Sequence, residues 1–394
     1  MSLNLDKSAW KRVTLGDVTR HVTDRVDAET SGLERFLAGE HIPRGSLSIT
    51  EWGIIGRDPI GPMFYKRFQP GHVLYVSRRT YLRKVAVPEF EGITGEKTFV
   101  LETLDEGVLL QVFLPFVLSA ERFHAYAIAN SRGSVNPYLN WGELAAYEFD
   151  LPPLEEQKHI ADLLWAVERH RLALAGQEDA MRETLRQVTA RRLADLPEKA
   201  RLGDFATTRS GPSFAASDVH GEPVNGSIPV IGIPNTKPDG TVDLSKVGYV
   251  TGLPDSVGRV DDSSLILIRT NGNRQRIGNV YLPPSEAHGH AVSAFQFLMQ
   301  VHDAADRDYI FWVLSESSMQ DRMSEGASGT VGLGNLAVRW LNAQEIPWSH
   351  VEANRTAVVR ELQVINYVVD QVVSEMDALK GTRAALLSDI FGGI

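Results

Sequence analysis

Two stretches of this chain repeat apolar residues at alternating steps of four and three, and nothing else in the sequence constrains the fold as strongly. The first runs from Leu151 to Asp195. Its stripe is Ile160, Leu164, Val167, Leu174, Met181, Leu185 and Val188, interrupted by Arg171 and Glu178 and weakened at Gly176. Pro152 and Pro153 suit an entry turn, where a missing N–H costs nothing. Glu155 and Glu156 meet the positive end of the helix dipole, Arg191 and Arg192 the negative end, and Pro197 stops the run. The second stripe is Val358, Leu362, Ile365, Val369, Val372, Met376, Leu379, Leu386 and Ile390, broken by Arg383 and ended by Gly392 and Gly393. Ser349 and Glu352 read as a capping box at its start. Both stripes are too narrow and too long for helices lying on globular cores, and such sustained heptads predict a coiled coil. The alternative is two unrelated long helices, each on its own domain. Similar lengths, and the same position after a globular segment, favour pairing with each other.

The segments before the two helices carry the same signals in the same order. Each opens on Leu-Gly-Asp (Leu15 to Asp17, Leu202 to Asp204). A strand, turn and strand are expected at Glu40 to Ile49, and at Val230 to Pro234 with Pro238 to Asp243. Buried strands follow at Val73 to Val76 and Leu265 to Ile268. Helices rich in apolar residues are expected at Phe113 to Ile128 and Tyr309 to Met323. Gly/Ser turns come next, at Ser131 to Ser134 and Ser328 to Thr330. Short strands, Tyr147 to Pro152 and Gln344 to Pro347, then feed the long helices.

Two copies with a period near half the chain make a pseudo-dimer in one polypeptide, not a solenoid. The expected architecture is mixed α/β: two pseudo-repeated domains separated by a long antiparallel two-helix coiled coil. The expected boundaries are 1–150, 151–196 for the central helix, 197–347, and 348–394 for the distal helix. A helix of about 35 residues spans roughly 50 Å, on the order of one and a half turns of duplex.

At 394 residues, with 43% hydrophobic and 23% charged, the chain reads as an ordinary water-soluble protein. The first residues hold no apolar core of signal-peptide length, and no run approaches a membrane span, so a cytoplasmic location is expected. Zero cysteines exclude disulfides, thiolate catalysis and Cys-ligated zinc. A formal charge of -10 argues against a blanket polyanion binder but leaves room for a local basic cleft.

These features together resemble the specificity subunits of type I restriction–modification systems, over essentially the whole chain. The most specific segment is Leu151-Pro152-Pro153-Leu154-Glu155-Glu156-Gln157-Lys158-His159-Ile160, similar to that family's entry into its central helix. Gly71 to Tyr75 with Tyr81 to Lys84, and Gly272-Asn273 with Ile277-Gly278, are similar to the middle of its recognition domains. At the distal entry Ile346, Pro347, Trp348, Glu352, Ala353 and Asn354 stand in place of the double proline and the Glu-Gln pair.

The resemblance implies that each domain reads one half of a bipartite, asymmetric site in double-stranded DNA. It implies that the helices set the spacing and dock two adenine-N6 methyltransferase subunits, with a restriction/translocase subunit joining. Pro152, Pro153, Glu156, Gln157, Ile160, Leu164, Val167, Leu362, Ile365, Val369 and Val372 are then the candidates for helix pairing and subunit docking. No cofactor is expected in this chain. S-adenosylmethionine would belong to the methyltransferase, ATP and magnesium to the motor-nuclease.

No catalytic constellation stands out. Asn136-Pro137-Tyr138 is similar to an adenine-methyltransferase loop but lacks its second proline, and no Gly-rich turn precedes it. Pro238-Asp239 with Asp243 and Lys246 has the spacing of a Pro-Asp-Gly turn. The histidines do not fall at metal-ligand spacing, so no metal is expected. DNA contact remains, and it needs Lys and Arg for phosphates and planar forks or amides for bases. Arg78, Arg79, Tyr81, Arg83 and Lys84 follow one buried strand, and Arg269, Asn271, Asn273, Arg274 and Arg276 follow the other. Arg132, in the Gly/Ser turn, joins them. Recurrence in both halves favours DNA contact over solvated basic loops. The competing readings are a coiled-coil assembly scaffold that reads no DNA, and an enzyme with an unrecognised site.

Overall fold

The computed structural model describes residues 5–329 and 333–393. The chain divides into two compact units, Met1–Gln177 with Val372–Ile394, and Glu178–Gln371.

In the first unit Val73–Val76 is a four-residue apolar run whose residues are all buried, so both of its faces are covered. It sits inside an antiparallel sheet ordered Thr19–His21, Thr98–Thr103, Val73–Val76, Val85–Ala86. A second sheet is ordered Gly53–Ile54, Arg35–Leu37, Gly92–Gly95, Phe64–Phe68, with its middle pair parallel. Lys11–Thr14 pairs with Glu148–Leu151, the strand that feeds the first long helix.

The second unit repeats this plan. Its antiparallel sheet is ordered Ala206–Ser210, Gln296–Val301, Ser264–Ile268, Val280–Tyr281, and Ser264–Ile268 is buried throughout. Its second sheet also holds one parallel pair, Ile228–Ile231 with Ala291–Val292. Glu198–Arg201 pairs with Glu345–Trp348, again the strand ahead of a long helix.

The two long helices are α1, Leu154–Ala194, and α2, Glu352–Phe391, of 41 and 40 residues. They pack together antiparallel, as their heptads predict. In the first unit Ile160, Leu164 and Val167 of α1 share a core with Leu386, Leu387 and Ile390 of α2. In the second unit Leu185, Val188 and Leu193 share one with Val358 and Leu362. Val369 and Val372 are buried and Ile365 is half-buried. Gly392, at φ +84°, ends α2 in the left-handed conformation that glycine adopts without strain. Among the described residues no helix is long and apolar enough to cross a membrane.

The structure departs from the sequence expectations in several places, among them Pro238 to Asp243, which holds a turn and a single bridge from Val242 to Thr236 instead of a strand. Glu40 to Ile49 forms no strand; it is a turn-rich strap, and the strand lies just before it at Arg35–Leu37. Each domain helix is broken in two, into Leu114–Val117 and Glu121–Ala129, and into Arg307–Ser315 and Ser317–Gly326. The breaks fall where Ala120 and Glu316 adopt extended backbone, and the Glu316 carboxylate accepts from the N–H groups of Ser318 and Met319. The Ser349–Glu352 capping box does not form, because α2 starts only at Glu352. Ser349 Oγ instead accepts from the Val351 N–H and the Asn354 amide. Thr330, the expected end of the second Gly/Ser turn, lies outside the described residues.

Candidate nucleic-acid interface

Both units present the segment after the buried strand against their Gly/Ser turn. In the first, the Arg79 N–H donates to the Pro137 carbonyl at 2.6 Å, and Tyr138 bridges to both Arg78 and Arg132. Arg79 Nε donates to Asn136 Oδ1 at 2.9 Å. Arg78, Arg79, Arg132 and Asn136 are therefore brought together. In the second unit Thr270–Asn271 pairs with Gly334–Asn335, and Asn335 bridges to Ser328.

The sequence-derived candidates separate by what holds their charged ends. Arg78, Arg79 and Tyr81 are exposed, and Arg132 is exposed but ion-paired with Glu143. Arg83 is clamped by both oxygens of Glu121, at 2.5 and 2.6 Å. Lys84 Nζ donates to the Gly39 carbonyl, and burial lowers its pKa. In the second unit Asn273 and Arg274 are exposed, although one Arg274 nitrogen is held by the Ala327 carbonyl. Arg276 is drawn inward to the Thr236 carbonyl and the Tyr281 hydroxyl. Arg269 donates to the Ala294 carbonyl at 3.2 Å and lies over the Phe297 ring. Asn271 Oδ1 accepts from the Asn273 N–H.

Arg79 and Arg83 bracket the short turn Thr80–Leu82, each at φ +55°. They are the only non-glycine residues at positive φ among the described residues. A left-handed arginine carries backbone strain, which persists only where surrounding contacts enforce it. The Glu121 clamp and the Pro137 hydrogen bond enforce it here. The turn is thereby held rigid, with Tyr81 47% exposed at its tip.

Sequence reasoning missed residues that flank these loops. A cavity beside Tyr138 is lined by Arg25, Tyr65, Lys66 and Lys97, with His21 and Trp141. The Lys97 ammonium lies 5.3 Å from the Tyr138 ring centroid, and its carbonyl accepts from the Ser77 N–H. Lys66 is buried, donates to the Glu96 and Thr98 carbonyls, and is brought down to about 8 by desolvation. In the second unit the matching place is taken by Phe295, 50% exposed, whose carbonyl accepts from the Arg269 and Thr270 N–H groups. A single residue ahead of a strand carries no periodic signal that could have flagged it.

The docking candidates also divide. Pro152 is buried and Pro153 exposed. Glu156 accepts from the Trp10 indole N–H at 2.9 Å. Gln157 is fully buried, and its amide is spent inside the unit: Oε1 accepts from the Leu110 N–H, while Nε2 donates to the Val108 and Pro152 carbonyls. Gln157 thus ties the start of α1 to the loop ahead of Leu114–Val117. Among the described residues no cluster of His, Asp and Glu is arranged to hold a metal ion.

Residues 63–180 match the family model described as the type I restriction modification DNA specificity domain. That match covers less than a third of the chain, and the likeness over its whole length is one of fold. The type I restriction–modification S subunit from M. genitalium aligns with a TM-score of 0.60 at 15% identity, covering 100% of this chain and 99% of that one. A chain from a structure on complex assembly and conformational transition of the type I R-M system aligns with a TM-score of 0.60 at 19% identity, covering 98% and 99%. No curated protein sequence matches significantly.

Proposed function

We propose that each unit of this specificity subunit reads one half of a bipartite site in double-stranded DNA, while α1 and α2 set the gap and dock two methyltransferase subunits. The chain performs no reaction in this reading. S-adenosylmethionine belongs to the methyltransferase partners, and ATP with magnesium to a restriction/translocase partner. The cytoplasm is the setting. The observation that carries the reading is the rigid, strained turn that displays Arg78, Arg79 and Tyr81 beside Arg132. A counterpart at the same topological position displays Asn273 and Arg274. Exposed guanidiniums suit phosphates or guanine edges, and an amide suits adenine.

The test uses the full chain reconstituted with a methyltransferase partner, with methylated sites mapped by sequencing. Arg78→Ala with Arg79→Ala is expected to relax choice at one half-site, and Asn273→Ala with Arg274→Ala at the other, each base contact being worth about 1–3 kcal/mol. Arg83→Ala is expected to act through folding of the turn, since Glu121 holds its charged end. A heptad inserted into α1 is expected to change the tolerated gap. Unchanged site choice in both pairs of variants would refute direct reading and leave the assembly scaffold.

A further inference from the structure

We propose that the cleft in the first unit between the strap at residues 44–47, the Arg83 turn, the helix Glu121–Ala129 and the C-terminal part of α2 binds a phosphate-class oxyanion. The cavity is about 240 Å³ and is lined by Arg44, Arg83, Lys380 and Arg383 against one carboxylate, Glu121. That carboxylate is already met by the Arg83 fork. Asp377 engages Lys380 at 2.8 Å from outside the lining. The surplus charge inside therefore stays positive.

Three groups in the cleft have chemistry left over. Arg44 is exposed and forms no ion pair or hydrogen bond with any described residue. Arg383 is mostly buried, and its Nε has no hydrogen-bond partner. The carboxylate nearest to it, Glu168, turns Oε2 toward it at 4.0 Å, too far for a hydrogen bond, while its Oε1 accepts from Arg171, Ser46 and the Leu47 N–H. Arg383 is a buried cation with incomplete compensation, a costly arrangement unless an anion completes it.

His124 lines the same cavity, is only 6% exposed, and has an unpartnered buried Nδ1. Desolvation first, then the charges of Arg83 and Arg383, bring its pKa down to about 4. Donors that converge from the strap, the domain helix and α2 suit a tetrahedral oxyanion, which accepts from several directions at once. A bound oxyanion would cross-link Arg44 of the recognition unit to Arg383 of the helix pair.

The oxyanion could be a free small phosphate or a phosphate of the DNA backbone, and the test separates them. Inorganic phosphate is titrated calorimetrically into the full chain, in chloride buffer of matched ionic strength and without DNA. One saturable phosphate per chain is expected, with a higher unfolding temperature than in chloride. Arg44→Ala should weaken binding about fivefold, the loss of one charged hydrogen bond. Arg44 has no partner to lose, so the unfolding temperature in chloride should not move. Arg383→Gln should weaken binding more.

A short duplex is then added to the phosphate-loaded chain. Release of phosphate identifies the DNA backbone as the source, and co-binding identifies a free phosphate; either keeps the site. Absence of saturable binding, or equal affinity in the wild-type chain and Arg44→Ala, overturns it. Such a failure leaves the DNA reading intact, because no DNA is present in the titration.

Discussion

The two units start their long helices with the same strand-to-helix connection, yet fasten it by different chemistry. The fourth helical residue does the fastening in each. In α1 it is Gln157, a neutral amide making three hydrogen bonds of 2.9 Å to backbone groups. In α2 it is Arg355, whose Nε donates to Asp306 Oδ1 at 2.7 Å and whose Nη1 donates to the Ser349 carbonyl. Its guanidinium lies 4.4 Å from the centroid of Trp348, which stacks on Phe205. Both Arg355 and Asp306 are buried. A shared topology therefore specifies that the helix start must be tied to the loop ahead of the domain helix. It does not specify the atoms that tie it.

The largest consequence concerns the charged clamp. Arg355→Met leaves the Asp306 carboxylate buried and alone, and breaking one side of such a pair costs about 3–5 kcal/mol. The loss is expected as faster hydrogen exchange in Ser264–Ile268, with Val73–Val76 in the first unit unaffected. Converting both partners, Arg355→Met with Asp306→Leu, should recover most of it, because no uncompensated charge remains. Failure of the double variant to recover would mean that the cation over Trp348 matters more than the ion pair. The amide clamp is expected to respond less. Gln157→Leu strands the Leu110 N–H and two carbonyls without adding a bare charge, a cost of about 1–3 kcal/mol. It should be read at Val73–Val76.

A third contrast is set by histidines. Burial lowers the pKa of His21 and His124 to about 4 and lowers that of His72, and all three lie in the first unit. A histidine held neutral by folding takes up its proton more readily when unfolded, so its contribution is present above the unfolded value of about 6.5. It is lost as pH falls from there toward 4. Urea midpoints followed by exchange at Val73–Val76 should therefore drop across that window more steeply than those at Ser264–Ile268. Parallel curves would remove the histidines as a difference between the units.

The helices were legible because their period depends only on spacing along the chain. The breaks in the stripes were legible too, but not their meaning. Arg171 and Arg383 read as interruptions. In the folded first unit they converge on Glu168, a fully buried carboxylate that also holds the Ser46 hydroxyl and the Leu47 N–H. A contact between residues 168 and 383 leaves no local trace. The basic loops are legible as segments, while the division of labour inside them is not. Arg83 and Lys84 look like Arg78 and Arg79 in sequence, and only the fold brings Glu121 and Gly39 to claim them. Glu40 to Ile49 reads as strand, turn and strand in the repeat, yet it serves as the strap that reaches Glu168.

That buried carboxylate gives the smallest prediction its contrast. Burial pushes the Glu168 pKa up, but hydrogen bonds from Arg171, Ser46 and Leu47 outweigh it and hold it below the usual glutamate value. Its stabilisation is therefore present at neutral pH and lost only in acid. The cross-helix charge pair of the second unit, Arg192 with Glu361, sits in water, with side chains 47% and 37% exposed. Solvent screens such a pair, and holding two long side chains in one geometry costs entropy, so it contributes little. Arg192→Ala should lower the urea midpoint of the second unit barely, and raised salt should erase the difference between variant and parent. Glu168→Gln in the first unit should cost more and keep its effect in salt, because no solvent reaches the site to screen it. Equal salt sensitivity of the two variants would show that exposure is not what separates the cross-helix charges of the two units.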